Sequence, residues 1–82
     1  MNVKLYLVVK CDNEGIQSVQ SFSKQDVAEE IFRDNVEAEL YISKEEGYYM
    51  DHTARKNWVK FYYEEGYWAE IKIVEDEVFV EV

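Results

Sequence analysis

Three kinds of side chain in this sequence could do chemistry or recognition. Carboxylates recur every four residues at Asp26, Glu30 and Asp34, aromatic rings alternate with charges around Trp58, Tyr62 and Trp68, and His52 and Cys11 are each the sole residue of their type. On a helix, residues four apart lie about 6 Å apart along the axis, so the three carboxylates would form a ladder on the scale of phosphate spacing along a nucleic-acid strand. Such a ladder can occupy a basic groove on another protein that normally holds nucleic acid. The competing reading is an ordinary solvated helix face.

Catalysis is not expected. His52 has no nucleophile or ligand set near it in the sequence, there is no glycine-rich phosphate loop, and the acids show no spacing that singles out an acid–base pair. No cofactor is implied. Asp12 to Gly15 superficially suggests a calcium loop but is too short for one, which leaves a turn. Glu64-Glu65 and Glu75-Asp76-Glu77 are acidic clusters at expected hairpin tips. Turns offer acids to water for ordinary reasons, so no metal site is expected there. Cys11, being alone, can form no intrachain disulfide and cannot complete a cysteine-based zinc site. It reads as a half-buried hairpin residue.

The chain has 82 residues, a net charge of −9, 48% hydrophobic and 16% aromatic content. That much apolar material excludes a disordered acidic tail. Residues 23–47 carry eight acids against three bases and residues 58–82 seven against two. Phosphates would meet a repulsive field, so neither direct nucleic-acid binding nor an anionic membrane is expected, whereas a protein with a basic surface would be attracted. No apolar run approaches the ~20 residues of a spanning helix and no signal-type segment opens the chain, so a soluble cytoplasmic protein is expected. A single domain of this size, here 1–82, buries only about 60–65% of its unfolded surface, and oligomerisation is one way to supplement it.

The elements follow from periodicity. Val3, Leu5, Leu7 and Val9 alternate with Lys4, Tyr6, Val8 and Lys10, which predicts a strand with the first set facing a core and Tyr6 facing away. Asn13-Glu14-Gly15 predicts a three-residue turn into a strand over Ile16 to Ser21. Ser23 is the expected helix N-cap, with Asp26 at the third helical position and Phe22 stapling onto Val27. Val27, Ala28, Ile31 and Phe32 form the apolar stripe. Val36 to Ile42 alternates like a strand, yet nothing signals a turn before Gly47. A helix continuing to Glu46 with Gly47 as its cap is therefore favoured over a kinked helix or a short strand. Tyr48 to Asn57 shows neither period and reads as a crossover loop.

The last third reads as a three-stranded meander. A turn at Glu64-Glu65-Gly66 with Gly66 left-handed pairs Tyr63 with Tyr67, Phe61 with Ala69 and Val59 with Ile71 on one side. On the other it pairs Tyr62 with Trp68, Lys60 with Glu70 and Trp58 with Lys72, suggesting an ion pair and a cation–π contact. A second turn at Glu75-Asp76-Glu77 would return the chain, putting Val80 and Val82 beside Ile73 and Ile71, and Phe79 on the aromatic side near Val74.

The expected fold is α+β: a five-stranded, largely antiparallel sheet in the order ββαβββ with one long helix across one face. One helix covers one face only, so the other meets water or a partner. The expected partner surfaces are the aromatic side (Trp58, Tyr62, Trp68, Phe79) and the acids (Asp26, Glu30, Asp34, Glu64, Glu65). Three roles fit them. The first is an acidic inhibitor or nucleic-acid mimic that engages a basic site on a partner protein, as a phage or mobile element uses against host defence. The second is a homodimer pairing through the aromatic face, and the third is a surface that sequesters a small ligand or nucleotide. In a fourth reading the 48–57 loop folds over the aromatic patch and covers it.

Overall fold

A computed structural model describes residues 1–81. Alternation carries the chain out along β1 (Asn2–Asp12), and a tight turn returns it as β2 (Gly15–Phe22). Asp12 stands opposite Gly15, so the loop has two residues, Asn13 and Glu14, and not the three expected. The Asp12 carboxylate accepts a 2.8 Å hydrogen bond from the Glu14 amide and tightens the bend. A bulge at Lys10/Cys11 shifts the register by one residue further along.

Helix α1 (Gln25–Glu46) runs unbroken for 22 residues, so the helical reading of the ambiguous Val36–Ile42 stretch is the correct one. Its N-cap is Lys24, one residue beyond the expected Ser23, and no side chain caps it; the Ala28 amide donates directly to the Lys24 carbonyl at 3.2 Å. The C-terminus is as expected. Gly47, at φ 83°, turns left-handed, and its amide and that of Tyr48 close on the carbonyls of Ser43 and Lys44. A side chain at that φ would be strained, which is why glycine ends the helix.

The expected crossover loop is a strand, β3 (Tyr49–Arg55), which forms a hairpin with β4 (Trp58–Tyr63) through Lys56 and Asn57. Asn57 takes φ 59°, a left-handed conformation that asparagine tolerates in turns. The Glu64–Gly66 turn, a single 3-10 turn, leads into β5 (Trp68–Phe79). Here the expected register holds residue by residue, from Tyr62 opposite Trp68 to Trp58 opposite Lys72, with the Tyr63 amide 2.8 Å from the Tyr67 carbonyl. Gly66 is left-handed at φ 80°, and so is Glu65 at φ 61°.

No second turn follows. Glu75, Asp76 and Glu77 continue β5 and pair with Tyr6, Leu5 and Lys4 of β1, so Val80 does not return beside Ile73. The expected place of Val82 lies outside the described residues. Eleven consecutive residues of β5, Ala69 to Phe79, find a partner along the whole of β1, and that ladder overrides the local turn preference of three adjacent acids. The sheet is antiparallel throughout in the order β2-β1-β5-β4-β3, giving the expected α+β architecture from five strands, one of them misplaced in the sequence reading.

The core sits between α1 and one side of the sheet, where Val8, Val59, Phe61 and Ile71 meet Ala28 and Phe32. Tyr6, Phe22, Leu40 and Ile73 pack at its margin. Tyr6 is thus on the covered side, and Val3, Leu5, Leu7 and Val9 are on the other, the reverse of the expectation. Period 2 says which residues share a face but not which face the helix takes; the pairing of Val8 with Ile73 decides it, because Ile73 lies on the side of Ile71 and Phe61. Val27, counted in the helix stripe, is exposed.

Candidate interaction surface

The side of the sheet turned away from α1 is lined by three strands of apolar and aromatic side chains. β1 contributes Leu5, Leu7 and Val9, β4 contributes Trp58 and Tyr62, and β5 contributes Trp68, Val74 and Val78. The registers place all of them on one face. Neither α1 nor the 48–57 segment covers this face, because β3 pairs edge to edge with β4 instead of folding over it. Beyond the end of β4 the face continues onto a two-stranded arm, the Asn2–Leu5 end of β1 against Asp76–Phe79 of β5.

One cluster of polar groups on this face is mutually satisfied. The Glu70 carboxylate accepts a 2.7 Å hydrogen bond from the Trp58 indole, lies 3.0 Å from the Lys72 ammonium, and receives a 3.5 Å contact from the Cys11 thiol. Burial alone would raise its pKa, but the bonds from Trp58, Lys72 and Cys11 together hold it below the ordinary carboxylate value. The same cluster raises the Lys72 ammonium, through its bond to Glu70, and raises the Cys11 thiol, chiefly by burial and then by Glu70. Lys60 lies 4.6 Å above the Trp68 ring and 5.7 Å from Tyr62. The partners are thus exchanged relative to expectation: Glu70 takes Lys72 rather than Lys60, and the cation–π contact belongs to Lys60 rather than Lys72. Side chains on one strand two residues apart share a face, so Glu70 and Lys72 meet without crossing to β4.

Trp58, Tyr62 and Trp68 are therefore brought together as expected, and Phe79 is not. Phe79 pairs with Asn2 at the tip of the arm, on the opposite parity from Val74 and Val78, and is 69% exposed. With no turn at 75–77 there is nothing to flip it. What the sequence reading missed is the aliphatic half of the surface, Leu5 to Val9, whose signal was the first strand itself assigned to the wrong side.

The acids fall into other places. Asp26, Glu30 and Asp34 lie on the exposed side of α1, whose 22 residues hold eight acids and two bases, a net of −6. Glu64 and Glu65 occupy the β4–β5 turn at the end of the sheet where the β1–β2 turn also lies; the Asn13 side chain ties the two, accepting from the Trp68 amide at 2.7 Å. Glu75 to Glu77 are far from that end. The open face carries three acids (Asp51, Glu70, Asp76) and three bases (Arg55, Lys60, Lys72), a net of zero.

Between α1 and the two turns lies a cleft of about 370 Å³, lined by Lys10, Glu39, Tyr48, Tyr63, Tyr67 and the turn residues. Its one buried carboxylate, Glu39, is engaged at both oxygens, by Lys10 at 2.7 Å and by the Tyr63 hydroxyl, so it fastens the helix to the sheet. Burial first, and then Glu39, drive the Tyr63 pKa well above its ordinary value, keeping the phenol a donor. His52 meets the Tyr49 hydroxyl at 2.7 Å on the helix side of β3, beside Phe61. Among the described residues no three His, Cys, Asp or Glu side chains are placed to hold a metal ion, and no helix is long and apolar enough to cross a membrane. Comparison with family models, curated proteins and solved structures finds no match to this chain.

Proposed function

We propose that this protein acts by binding another protein, without catalysis, and that it binds through the open face of its sheet. The observation that carries this reading is an apolar, charge-balanced face on the central strands, uncovered by any described element of the chain. Apolar surface of this kind marks interfaces, and tryptophan is among the side chains that most often dominate binding energy. At its centre the Glu70 carboxylate is already paired with Trp58 and Lys72, so burying that part of the face leaves neither charge without a partner.

A second reading is favoured by the charge of α1. Its exposed ladder of Asp26, Glu30 and Asp34 would engage a basic, nucleic-acid-binding site on a partner, as an anti-defence inhibitor of a phage or mobile element does. The two readings separate in affinity capture at low and high salt with wild type, Leu7→Asp, and the double variant Glu30→Lys/Asp34→Lys. Binding through the open face is lost in Leu7→Asp and is little altered by salt or by the helix variant. Loss in the helix variant, with a steep salt dependence, transfers the function to α1.

A further inference from the structure

We propose that the occupant of the open sheet face is a second copy of this chain, the two sheets packing face to face about a two-fold axis. This rests on the reading that the open face is the binding surface and names its partner.

Charge selects the partner. The chain carries −9, yet the open face carries none of that excess, with three acids balanced by three bases. A basic protein would be drawn to α1 and gains nothing from this face. A copy, in contrast, presents a face with no net charge to oppose it. Packed sheets lie about 10 Å apart and a helix layer adds about 10 Å on each side, so the two α1 helices would be separated by about 30 Å, several times the ~8 Å screening length at physiological salt. The net −6 on each helix therefore does not oppose pairing.

Area and shape agree with this assignment. A compact 9.8 kDa monomer exposes about 5,200 Å², and this chain exposes 5765 Å². The excess, about 600 Å² per copy, is the extra surface that an elongated chain exposes. The radius of gyration is 14.4 Å where a compact chain of this length has about 12 Å. The extra extent lies along the β1–β5 arm, whose Val3 and Val78 prolong the same apolar face. In a two-fold arrangement the arm of each copy lies over the partner's sheet, and Leu5, Leu7 and Val74 form the centre of a self-complementary patch.

The test is mass by light scattering or sedimentation across concentrations up to about 200 µM. Wild type and Glu30→Lys are expected near twice the 9.8 kDa chain mass, while Leu7→Asp and Val74→Glu are expected at the single mass with unchanged circular dichroism. Should Leu7→Asp fail to fold, Val74→Glu, at an exposed position, decides. A wild type that stays at one chain mass overturns self-pairing, and so does a dimer that both face variants leave intact. In the monomer case, affinity capture separates the two readings. Partner capture lost in Val74→Glu leaves the open face as the binding surface and removes only the self-pairing; capture retained removes both.

Discussion

The two faces of one sheet have nearly the same chemistry and opposite fates. Toward α1 point Val8, Val59, Phe61 and Ile71; away from it, on the same strands, point Leu7, Trp58, Trp68 and Val74. A 22-residue helix is about 33 Å long and about 10 Å wide, enough to cover one face and no more. Each face is also organised by one carboxylate. Glu39 descends from the helix to Lys10 and Tyr63 and fixes one layer on the other. Glu70 rises from the sheet and gathers Trp58, Lys72 and Cys11 within its own face. The difference is that one carboxylate joins two layers while the other pairs polar groups within a single face.

The comparison breaks most visibly at Phe61, which has no accessible surface. Phe61→Ala should cost about 3–5 kcal/mol in chemical denaturation, much of the stability of a domain this size. The loss should be the same at every protein concentration. Leu7→Ala on the open side should cost only about 1 kcal/mol in dilute solution, rising with concentration if the face is paired. Equal, concentration-independent losses at both positions would mean that the two faces are buried alike within one chain.

The Tyr63 phenol that binds Glu39 and the Glu70 carboxylate give smaller effects with opposite pH signatures. Tyr63→Phe leaves one Glu39 oxygen without its donor and should cost about 1–2 kcal/mol. The Tyr63 phenol ionises at higher pH in the folded chain than unfolded, so wild-type stability should fall as pH rises above the ordinary tyrosine value of 10.0, and Tyr63→Phe should remove that part of the fall. Glu70 has the reverse sign. Its folded pKa is lowered, so its contribution is present above the unfolded value near 4.5 and is lost as pH falls through the folded value. Glu70→Gln should therefore be less stable than wild type at neutral pH and converge with it in acid, as followed by urea midpoints.

How much of this was legible in the sequence depends on whether the signal was local. The Trp58–Lys72 hairpin was readable to the residue, because Gly66 fixes a short turn and the turn fixes the register. The helix end at Gly47 was readable for the same reason. The strand β3 was not, because Tyr49, Asp51, Thr53 and Arg55 alternate with Met50, His52 and Ala54 without an apolar side. It is an edge strand held by β4, and its one local sign was Asn57 in a left-handed turn. The continuation of β5 through Glu75–Glu77 was equally hidden, since its cause is β1, some 70 residues away in sequence. The same long-range pairing decided which side of β1 met the helix. The aromatic half of the candidate surface, borne by the local hairpin, was therefore visible, and the aliphatic half, borne by β1, was not.

The smallest effect belongs to the third surface, the outside of α1, and it tests whether that surface is independent of both sheet faces. Asp26, Glu30 and Asp34 stand four residues apart, so Glu30 repels a neighbour on either side. Glu30→Lys turns two like-charge pairs into opposite ones and one opposite pair, with Arg33, into a like one; at about 0.2–0.5 kcal/mol for each attraction or repulsion the net gain should be about 0.5–1 kcal/mol at low salt. In a thermal melt this is a rise of a few degrees that fades as salt screens the pairs. Neither the Tyr63 nor the Glu70 pH dependence should move with it, since both groups lie on the sheet. A variant that gains stability and keeps its partner frees α1 of any binding role, whereas one that gains stability and loses its partner marks the carboxylate ladder as a site maintained against the stability of its own helix.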